Sequence, residues 1–296
     1  MNISNYLRVW LSAIRPKTLG AAVSPILIGT TMAFGEGKGH TLAALAALLG
    51  ALLIQIGTNF SNDYFDYIKG ADTEERLGPV RVTQSGQVRP KTMLWNFVMV
   101  FGLATLVGIY LVFRGGWPIV MIGILSIASG ILYTGGPWPL GYLGLGDLFV
   151  LIFFGPVAVG GTFYVQTLEI TPVVIIAGLG PGLLATALLA VNNLRDEPTD
   201  KKVGKLTLAV RFGTTFARAE YLAALVFSAV IPFILAFWTE THWYACISAL
   251  IIIPGFSSIR QIISGVKGSE LNITLASTGK LILIYGILFS LGWWIG

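Results

Sequence analysis

Charged and metal-binding side chains are scarce in this sequence of 296 residues. Asp, Glu, Lys and Arg together account for only 11% of it, and it contains two histidines and one cysteine, Cys246. A single cysteine excludes an intramolecular disulfide. His40 and His242 lie far apart in presumed loops, so no His/Cys metal site is expected, and we interpret both histidines as solvated loop residues.

Hydrophobic residues, in contrast, make up 55% of the chain, and its mean hydropathy is positive. This composition excludes an ordinary soluble domain and indicates a polytopic membrane protein of the all-α class. About nine windows are long and apolar enough to cross a hydrocarbon core of roughly 30 Å. They cover approximately residues 19–35, 41–62, 93–113, 117–134, 143–165, 171–194, 219–238, 244–264 and 278–295.

The distribution of basic residues tests this helix count. If the N-terminus faces the cytoplasm, the outward loops contain only Lys38 and Arg114, which leaves 17 of the 19 Lys and Arg residues on the cytoplasmic side. Such an asymmetry is what the positive-inside rule expects, and a wrong number of helices would have destroyed it. We therefore predict a membrane protein with its N-terminus inside and its C-terminus outside.

An acidic cluster follows the second window. Asn59, Asn62, Asp63 and Asp66 fall on the last predicted helical turns, and Asp72 comes from the following loop. Residues three or four apart share one helix face, so the first four side chains should point largely the same way. Because carboxylates are costly in a membrane protein, this cluster indicates a function.

A second acidic cluster ends the sixth window, also on the predicted cytoplasmic side. Asn192, Asp196 and Asp200 keep a four-residue spacing, and Pro198 predicts a kink or helix end between the last two. The clusters stand four helices apart, which suggests an internal duplication. Facing each other across a cavity, they could hold two or three Mg²⁺ ions against one diphosphate, because hard oxygen ligands suit that metal.

One acidic cluster at a helix end is often merely solvated, whereas two related clusters on the same side favour a functional site. Basic residues accompany both clusters in larger number than a metal site alone requires. Guanidinium and ammonium groups bind phosphate oxygens and stabilise a departing diphosphate. The predicted phosphate contacts are Arg76, Arg81, Arg195 and Lys205.

With these motifs the chain resembles the UbiA superfamily of intramembrane aromatic prenyltransferases, and within it the menaquinone-pathway branch. The resemblance covers essentially the whole chain and rests on residues 15–19, 59–72, 83–86, 133–147, 154–156 and 192–200. It implies one domain over residues 1–296, with about nine transmembrane helices around a central cavity. Segments 63–92 and 195–218 would form cytoplasmic active-site loops.

The resemblance also implies an Mg²⁺-dependent enzyme that joins a polyprenyl diphosphate to 1,4-dihydroxy-2-naphthoate. Pyrophosphate and CO₂ would leave, giving demethylmenaquinol, which oxidises to demethylmenaquinone. Membrane lipid would surround the protein, and no nucleic-acid partner is implied. The implied metal ligands are Asp63, Asp66, Asp72, Asp196 and Asp200, with Asn59, Asn62 and Asn192 assisting in substrate binding.

The segment 133–147 has five glycines and two prolines but no Lys or Arg, which is unusual for a cytoplasmic loop. Some relatives have a Tyr and a Lys four residues apart here as diphosphate contacts. This sequence has Tyr133 but Pro137 at that spacing, so only Tyr133 is carried over as a catalytic residue. Asp147 opens the fifth window, where either helix capping or catalysis could be its role.

Residues 1–17 suggest an amphipathic helix at the membrane interface, which would serve as an anchor or as a gate over the cavity.

Two other functions are compatible with the sequence. A prenyltransferase of the same family could use another acceptor, such as p-hydroxybenzoate, homogentisate, haem or a chlorophyllide. A secondary transporter would also place polar residues at helix ends. Its key acids would normally lie near the middle of the membrane, whereas both clusters here are terminal, and it would release no pyrophosphate.

Overall fold

The computed structural model describes residues 3–71 and 77–296 as helices joined by short connections. The two 3₁₀ helices are Trp243–Ile251 and Gly268–Glu270. The α-helices are α1 (Ile3–Ile14), α2 (Pro16–Gly35), α3 (Thr41–Ile68), α4 (Pro90–Gly115), α5 (Trp117–Leu132), α6 (Gly146–Phe153), α7 (Pro156–Thr167), α8 (Pro172–Lys202), α9 (Leu208–Thr239), α10 (Ile252–Ile263) and α11 (Leu271–Ile295).

Eight helical segments in the described part of the chain are long and apolar enough to cross a membrane. The helix pair α6–α7 forms one of them, and the longer 3₁₀ helix forms another together with α10. Helix α5 is a shorter apolar helix of 16 residues. The prediction of an all-α membrane protein with about nine membrane helices is therefore confirmed.

Local signals in the sequence explain where several helices begin. Prolines occupy the first helical turn of α2, α4, α5, α7 and α8, where a missing backbone N–H costs nothing. The Thr171 hydroxyl caps α8 by accepting a hydrogen bond from the Val174 amide, and Thr207 caps α9 through Val210. These caps fix the ends of the two helices that enclose the second acidic cluster.

The largest hydrophobic core joins α2, α7, α8, α9 and α11, with Ile28, Val159, Leu184, Tyr221 and Tyr285 among its buried side chains. A second core joins α1, α3 and α4 around residues such as Phe60 and Phe97. Helices α3 and α8 belong to different cores, and the space between them holds the site described below.

The fifth membrane segment bends between α6 and α7, where Gly155 lies against α8. A Cβ atom on Gly155 would stand 2.7 Å from the Gly178 carbonyl oxygen and 3.1 Å from Gly182 Cα, so only glycine permits this approach. Close backbone contact through small residues is a common way to pack membrane helices. Helix α6 packs against α8 beside this bend.

The expected helix end at Pro198 is not found, because α8 continues through this proline to Lys202. A proline inside a helix costs about 3 kcal/mol, mostly through its lost hydrogen bond. Buried polar contacts surround this turn: Asp196 pairs with its neighbour Arg195, Arg195 donates to Asn272 of α11, and Asp200 pairs with Lys205 of the following connection. These contacts offset part of the local cost.

The two predicted loops are also shorter than expected. The first was placed at 63–92, but α3 continues to Ile68 and α4 begins at Pro90. The second was placed at 195–218, but only residues 203–207 connect α8 to α9. Asp63 and Asp66 lie on the last turns of α3, and Asp196 and Asp200 lie on the last turns of α8.

Residues at the N-terminus form helix α1, and Arg15 then adopts a left-handed conformation (φ 56°) that turns the chain into α2. Trp10 packs edge-on against Phe60 of α3 at 5.6 Å between ring centroids, while Tyr6 and Leu11 are exposed. Exposed apolar residues on one face are compatible with an interfacial helix. Its location at the membrane surface stays a prediction.

Candidate active site

Both acidic clusters line one polar cavity of about 230 Å³ between α3 and α8. The fold therefore brings together side chains that are more than 120 positions apart along the chain. The predicted site residues that line it are Asn59, Asn62, Asp66, Arg81, Tyr133, Asn192, Asp196, Asp200 and Lys205.

Asn59 and Asn62 form the floor of the α3 side. The Asn59 amide nitrogen donates to the Ile14 carbonyl oxygen at 2.9 Å and to the Thr18 hydroxyl at 3.2 Å, which ties α3 to the α1–α2 turn. The Asn62 carbonyl oxygen accepts a hydrogen bond from the Thr134 hydroxyl at 2.9 Å. Both amides are thus held in fixed orientations by neighbouring elements.

Asp66 is the charged residue of α3 that faces the cavity. Its Oδ2 accepts from Arg81 Nη2 at 3.0 Å, and its Oδ1 accepts from the Tyr142 hydroxyl at 3.3 Å. The Asp66 and Arg81 side chains are 7% and 8% exposed, so this ion pair is shielded from water. Arg81 therefore stands within reach of any phosphate that binds beside Asp66.

Asp63 lies apart from this group, on the opposite edge of the same helix face. It is 2% exposed, and its Oδ1 accepts a hydrogen bond from the Thr83 backbone amide at 3.4 Å. This contact anchors the segment 77–88, which carries Arg81. Asp63 is therefore not on the cavity wall with Asp66, and its role as a metal ligand stays a prediction.

Arg195 lies behind the α8 side of the cavity and is 1% exposed. Its Nε and Nη2 donate to the two carboxylate oxygens of Asp196 at 2.7 and 2.6 Å. Nη2 also donates to Asn192 Oδ1, and Nη1 donates to Asn272 Oδ1, both at 2.8 Å. These buried hydrogen bonds make Arg195 a support for Asp196, in place of the predicted phosphate contact.

Asp200 and Lys205 face each other at the C-terminal end of α8. Lys205 Nζ lies 3.5 Å from Asp200 Oδ1, and the Lys205 amide donates to the Asp200 carbonyl oxygen at 2.9 Å. The other carboxylate oxygen, Asp200 Oδ2, is buried and has no hydrogen-bond partner among the described residues. An unsatisfied buried oxygen of this kind is costly, and a cation bound there would satisfy it.

The cavity fits Mg²⁺ by its donor set, although the described residues contain no preassembled group of three Asp, Glu, His or Cys side chains. Carboxylates repel one another when no cation lies between them. Each cavity carboxylate is therefore paired with its own Arg or Lys neighbour in place of a shared metal ion. Carboxylate and amide oxygens are nevertheless preferred Mg²⁺ ligands, which are often completed by substrate phosphates. Asp66, Asp196 and Asp200 with Asn62 and Asn192 would supply them.

Tyr142, which the sequence analysis did not single out, links the two acidic clusters. Besides its hydrogen bond to Asp66, its ring has Lys69 Nζ at 5.0 Å and Lys205 Nζ at 5.9 Å from the centroid. The segment 133–147 has no Lys or Arg of its own, and the positive charges next to it come from Lys69 and Lys205 of the neighbouring connections. A second tyrosine, besides Tyr133, in a segment without Lys or Arg was the available sequence signal.

Tyr133 occupies a slot between two glycines at the rim of the cavity. A Cβ atom on Gly141 would stand 3.2 Å from its ring, and one on Gly146 would stand 2.9 Å from its hydroxyl. Burial raises the pKa of Tyr133 above its ordinary value, and the carboxylates of Asp147, Asp200 and Asp66 raise it further. Tyr133 therefore stays protonated, and its side chain lines the cavity.

A larger apolar cavity of about 720 Å³ begins next to the polar one, between α2, α3, α4, α5 and the α6–α7 segment. Its wall consists mainly of Ile, Val, Ala, Gly and Phe residues. Gln55, Thr58, Tyr133, Val150 and Phe154 line both cavities. The combined space thus has a polar end at the acidic clusters and an apolar end within the membrane helices.

Two predicted site residues, Asp72 and Arg76, lie outside the described residues. Asp147 lies in the first turn of α6 and is 6% exposed. Its Oδ1 is buried without a hydrogen-bond partner in the described part of the chain. Its capping and catalytic roles both stay predictions.

Comparison with known proteins identifies similar sequences along the whole chain. Residues 22–294 match the model of the UbiA prenyltransferase family. The 1,4-dihydroxy-2-naphthoate octaprenyltransferase of Haemophilus influenzae is 37% identical over 304 residues, which cover 99% of this chain and 98% of that protein. The protein of the same name from Mycobacterium tuberculosis is 37% identical over 279 residues, 94% of each chain.

Solved structures show the same fold. A UbiA homologue from Archaeoglobus fulgidus bound to DMAPP and Mg²⁺ superposes with a TM-score of 0.62. The match covers 95% of this chain and 99% of that chain at 14% sequence identity. Another structure of a UbiA homologue from the same organism gives a TM-score of 0.66 at 16% identity, over 96% of this chain and 99% of that chain.

Proposed function

Because this chain belongs to the UbiA prenyltransferase family, we propose that it transfers a polyprenyl group from a polyprenyl diphosphate to 1,4-dihydroxy-2-naphthoate. Pyrophosphate and CO₂ leave, and the product is demethylmenaquinol, which oxidises to demethylmenaquinone. The relatives that are 37% identical along nearly their full length carry this acceptor in their names, which supports the choice over other aromatic acceptors.

The observation that carries this proposal is the junction of a polar cavity with an apolar cavity at Tyr133. A polyprenyl diphosphate has the same division into a charged head and a hydrocarbon tail. The head fits between the acidic clusters, and the tail fits the apolar cavity, whose volume lies within the usual range for ligand pockets. Burying the tail there is favourable because it leaves water.

The side chains around the polar cavity have complementary tasks toward the diphosphate. Arg81 and Lys205 already pair with Asp66 and Asp200, and they can turn their donors to the phosphate oxygens as it binds. The carboxylates of Asp66, Asp196 and Asp200 would hold Mg²⁺, which would supply positive charge to neutralise the leaving group. Arg195 holds the Asp196 carboxylate in place during this exchange.

Departure of pyrophosphate breaks the allylic C–O bond and leaves an electron-poor prenyl carbon at the junction of the cavities. The surrounding Thr58, Tyr133, Val150 and Phe154 exclude most water from this position, which protects the cation from hydrolysis. The protonated Tyr133 hydroxyl is placed to donate to the bridging oxygen of the departing group.

The acceptor then forms the new C–C bond with the ring carbon that bears its carboxylate. The electron pair of the C–CO₂ bond returns to the ring as CO₂ leaves, so the aromatic system is restored without a separate proton abstraction. The site therefore has to orient the acceptor and stabilise its anion. Arg15 and Arg81 both line the cavity and supply positive charge for that purpose.

We also propose that the N-terminus faces the cytoplasm, the C-terminus faces outward, and the acidic clusters open to the cytoplasm. Of the basic residues, only Lys38 and Arg114 lie in the connections on the opposite side, where Lys38 pairs with Glu169 at 2.7 Å. This asymmetry supports a bacterial plasma-membrane location with multiple spans.

Metal removal tests the role assigned to the acidic clusters. With purified protein, a polyprenyl diphosphate and 1,4-dihydroxy-2-naphthoate, EDTA should abolish release of pyrophosphate, and added Mg²⁺ should restore it. The physical reason is that without the cation the carboxylates repel the diphosphate. Transfer that proceeds at its normal rate in EDTA would contradict the assignment. As a separate control for acceptor specificity, the same assay is run with p-hydroxybenzoate.

A further inference from the structure

Asn272, in the first turn of α11, makes two hydrogen bonds that join distant parts of the chain. Its Oδ1 accepts from Arg195 Nη1 at 2.8 Å, across 77 positions of sequence. Its amide nitrogen donates to the Leu77 carbonyl oxygen at 3.0 Å, across 195 positions. The side chain is half-buried, so both hydrogen bonds are partly shielded from water.

The segment that Asn272 holds, residues 77–88, carries Arg81. Next to Leu77, Gly78 packs directly on Arg195, because a Cβ atom there would stand 2.7 Å from Nη2. Further along, Arg81 pairs with Asp66, and Thr83 donates to Asp63. The segment is therefore fixed to α8 and α11 at one end and to α3 at the other.

We propose that Asn272 is a positioning residue for the transfer reaction, which sets the distance between the two acidic clusters. Asn272 holds Arg195, which in turn fixes the Asp196 carboxylate. It also holds the segment 77–88, which places Arg81 beside Asp66, so both sides of the cavity keep a fixed distance. This inference rests on the proposed function, since it concerns how the two halves of the cavity meet one diphosphate.

The geometry explains why this register matters. Arg195 has hydrogen bonds to Asp196, Asn192 and Asn272, and of these three partners Asn272 alone lies on another helix, so removing that hydrogen bond uncouples Arg195 from α11. A shift of about 1 Å at a positioning group can cost roughly 10²-fold in rate. Leu275, one turn further along α11, lines the polar cavity itself, so α11 faces the substrate at this level.

Asn272→Ala and Asn272→Asp separate the two hydrogen bonds. We expect Asn272→Ala to raise both the KM for the polyprenyl diphosphate and the half-saturating Mg²⁺ concentration about tenfold, with a smaller change in kcat, because a hydrogen bond to a charged group is lost. Asn272→Asp keeps an acceptor for Arg195 and loses the donor to Leu77, so its KM should rise less. Both variants should speed amide hydrogen exchange in residues 77–88.

Asn96→Ala is the matched control, since the Asn96 amide donates to Thr92 of its own exposed helix. It should leave all these readouts unchanged. The proposal would be overturned if Asn272→Ala left the KM, the Mg²⁺ requirement and the amide exchange unchanged. It would also be overturned if this variant lowered the yield of folded protein while the folded fraction kept the wild-type KM. If Asn272→Ala does not fold, a wild-type KM and wild-type exchange in Asn272→Asp would overturn it. Amide hydrogen exchange can be measured without enzyme activity. A wild-type protein that shows no prenyl transfer would therefore refute the proposed function, while the exchange data would still test the structural role of Asn272.

Discussion

Asp66→Asn should lower prenyl transfer about 10²–10³-fold, a loss comparable to removing one preorganised electrostatic contact from an active site. The change keeps the shape of the side chain but removes the negative charge that faces the polar cavity. It also releases Arg81, whose buried partner is the Asp66 carboxylate. The measurement is kcat/KM for the polyprenyl diphosphate at saturating Mg²⁺.

Asp63→Asn is the matched control for this prediction, because the two residues lie three positions apart on α3 and both are buried. Asp63 contacts the Thr83 amide, and an Asn oxygen can accept the same hydrogen bond. We expect its kcat/KM to fall less than about tenfold. Equal losses in both variants would contradict the separation between the cavity residue and the supporting residue.

Arg195→Met should destabilise the protein by about 3–5 kcal/mol, which is the usual cost of removing one partner of a buried ion pair. The Asp196 carboxylate and the oxygens of Asn192 and Asn272 would all lose their donor. The measurement is the thermal unfolding temperature in detergent, which should fall strongly, together with the yield of folded protein.

Two further variants separate burial from charge in that experiment. Lys91→Met removes one positive charge from an exposed position on α4 and should leave the unfolding temperature nearly unchanged. Arg195→Met combined with Asp196→Asn removes both charges of the pair and should recover part of the lost stability. A wild-type unfolding temperature in Arg195→Met alone would refute the supporting role of Arg195.

The helical repeat predicts which α3 residues share one face, but it does not predict which of them reach the cavity. At about 100° per residue, Asn59, Asn62, Asp63 and Asp66 all fall within an arc of about 100°, so they share a face. Asn62 and Asp63 stand at opposite edges of that arc. Asn62 and Asp66 reach the cavity, whereas Asp63 meets Thr83. The sequence could not place the segment 77–88 that makes this distinction.

The role of Arg195 was hidden for a similar reason. A guanidinium beside an acidic motif predicts phosphate binding as readily as structural support. The decision depends on Asn272, which lies 77 positions away on α11. Tyr142 was likewise visible in the sequence, but its place between Lys69 and Lys205 depends on how three separate connections pack.

Apolar length and charge asymmetry, in contrast, were sufficient for the membrane helices, because both follow from the chain's own composition. Pro198 was the local exception. Its cost to α8 is real, yet the buried partners of Asp196 and Asp200 keep the helix intact to Lys202. Predictions from local propensity fail most readily where buried polar contacts are strong, and here such contacts surround the site.

The most direct test of the central claim uses 1,4-dihydroxy-2-naphthoate labelled with ¹³C at its carboxyl carbon. Purified protein with Mg²⁺ and a polyprenyl diphosphate should give, by mass spectrometry, a prenylated naphthalenediol without the label, together with labelled CO₂ and one pyrophosphate per product. A product that retains the labelled carboxyl group, or transfer only to a different aromatic acceptor, would contradict the proposed reaction.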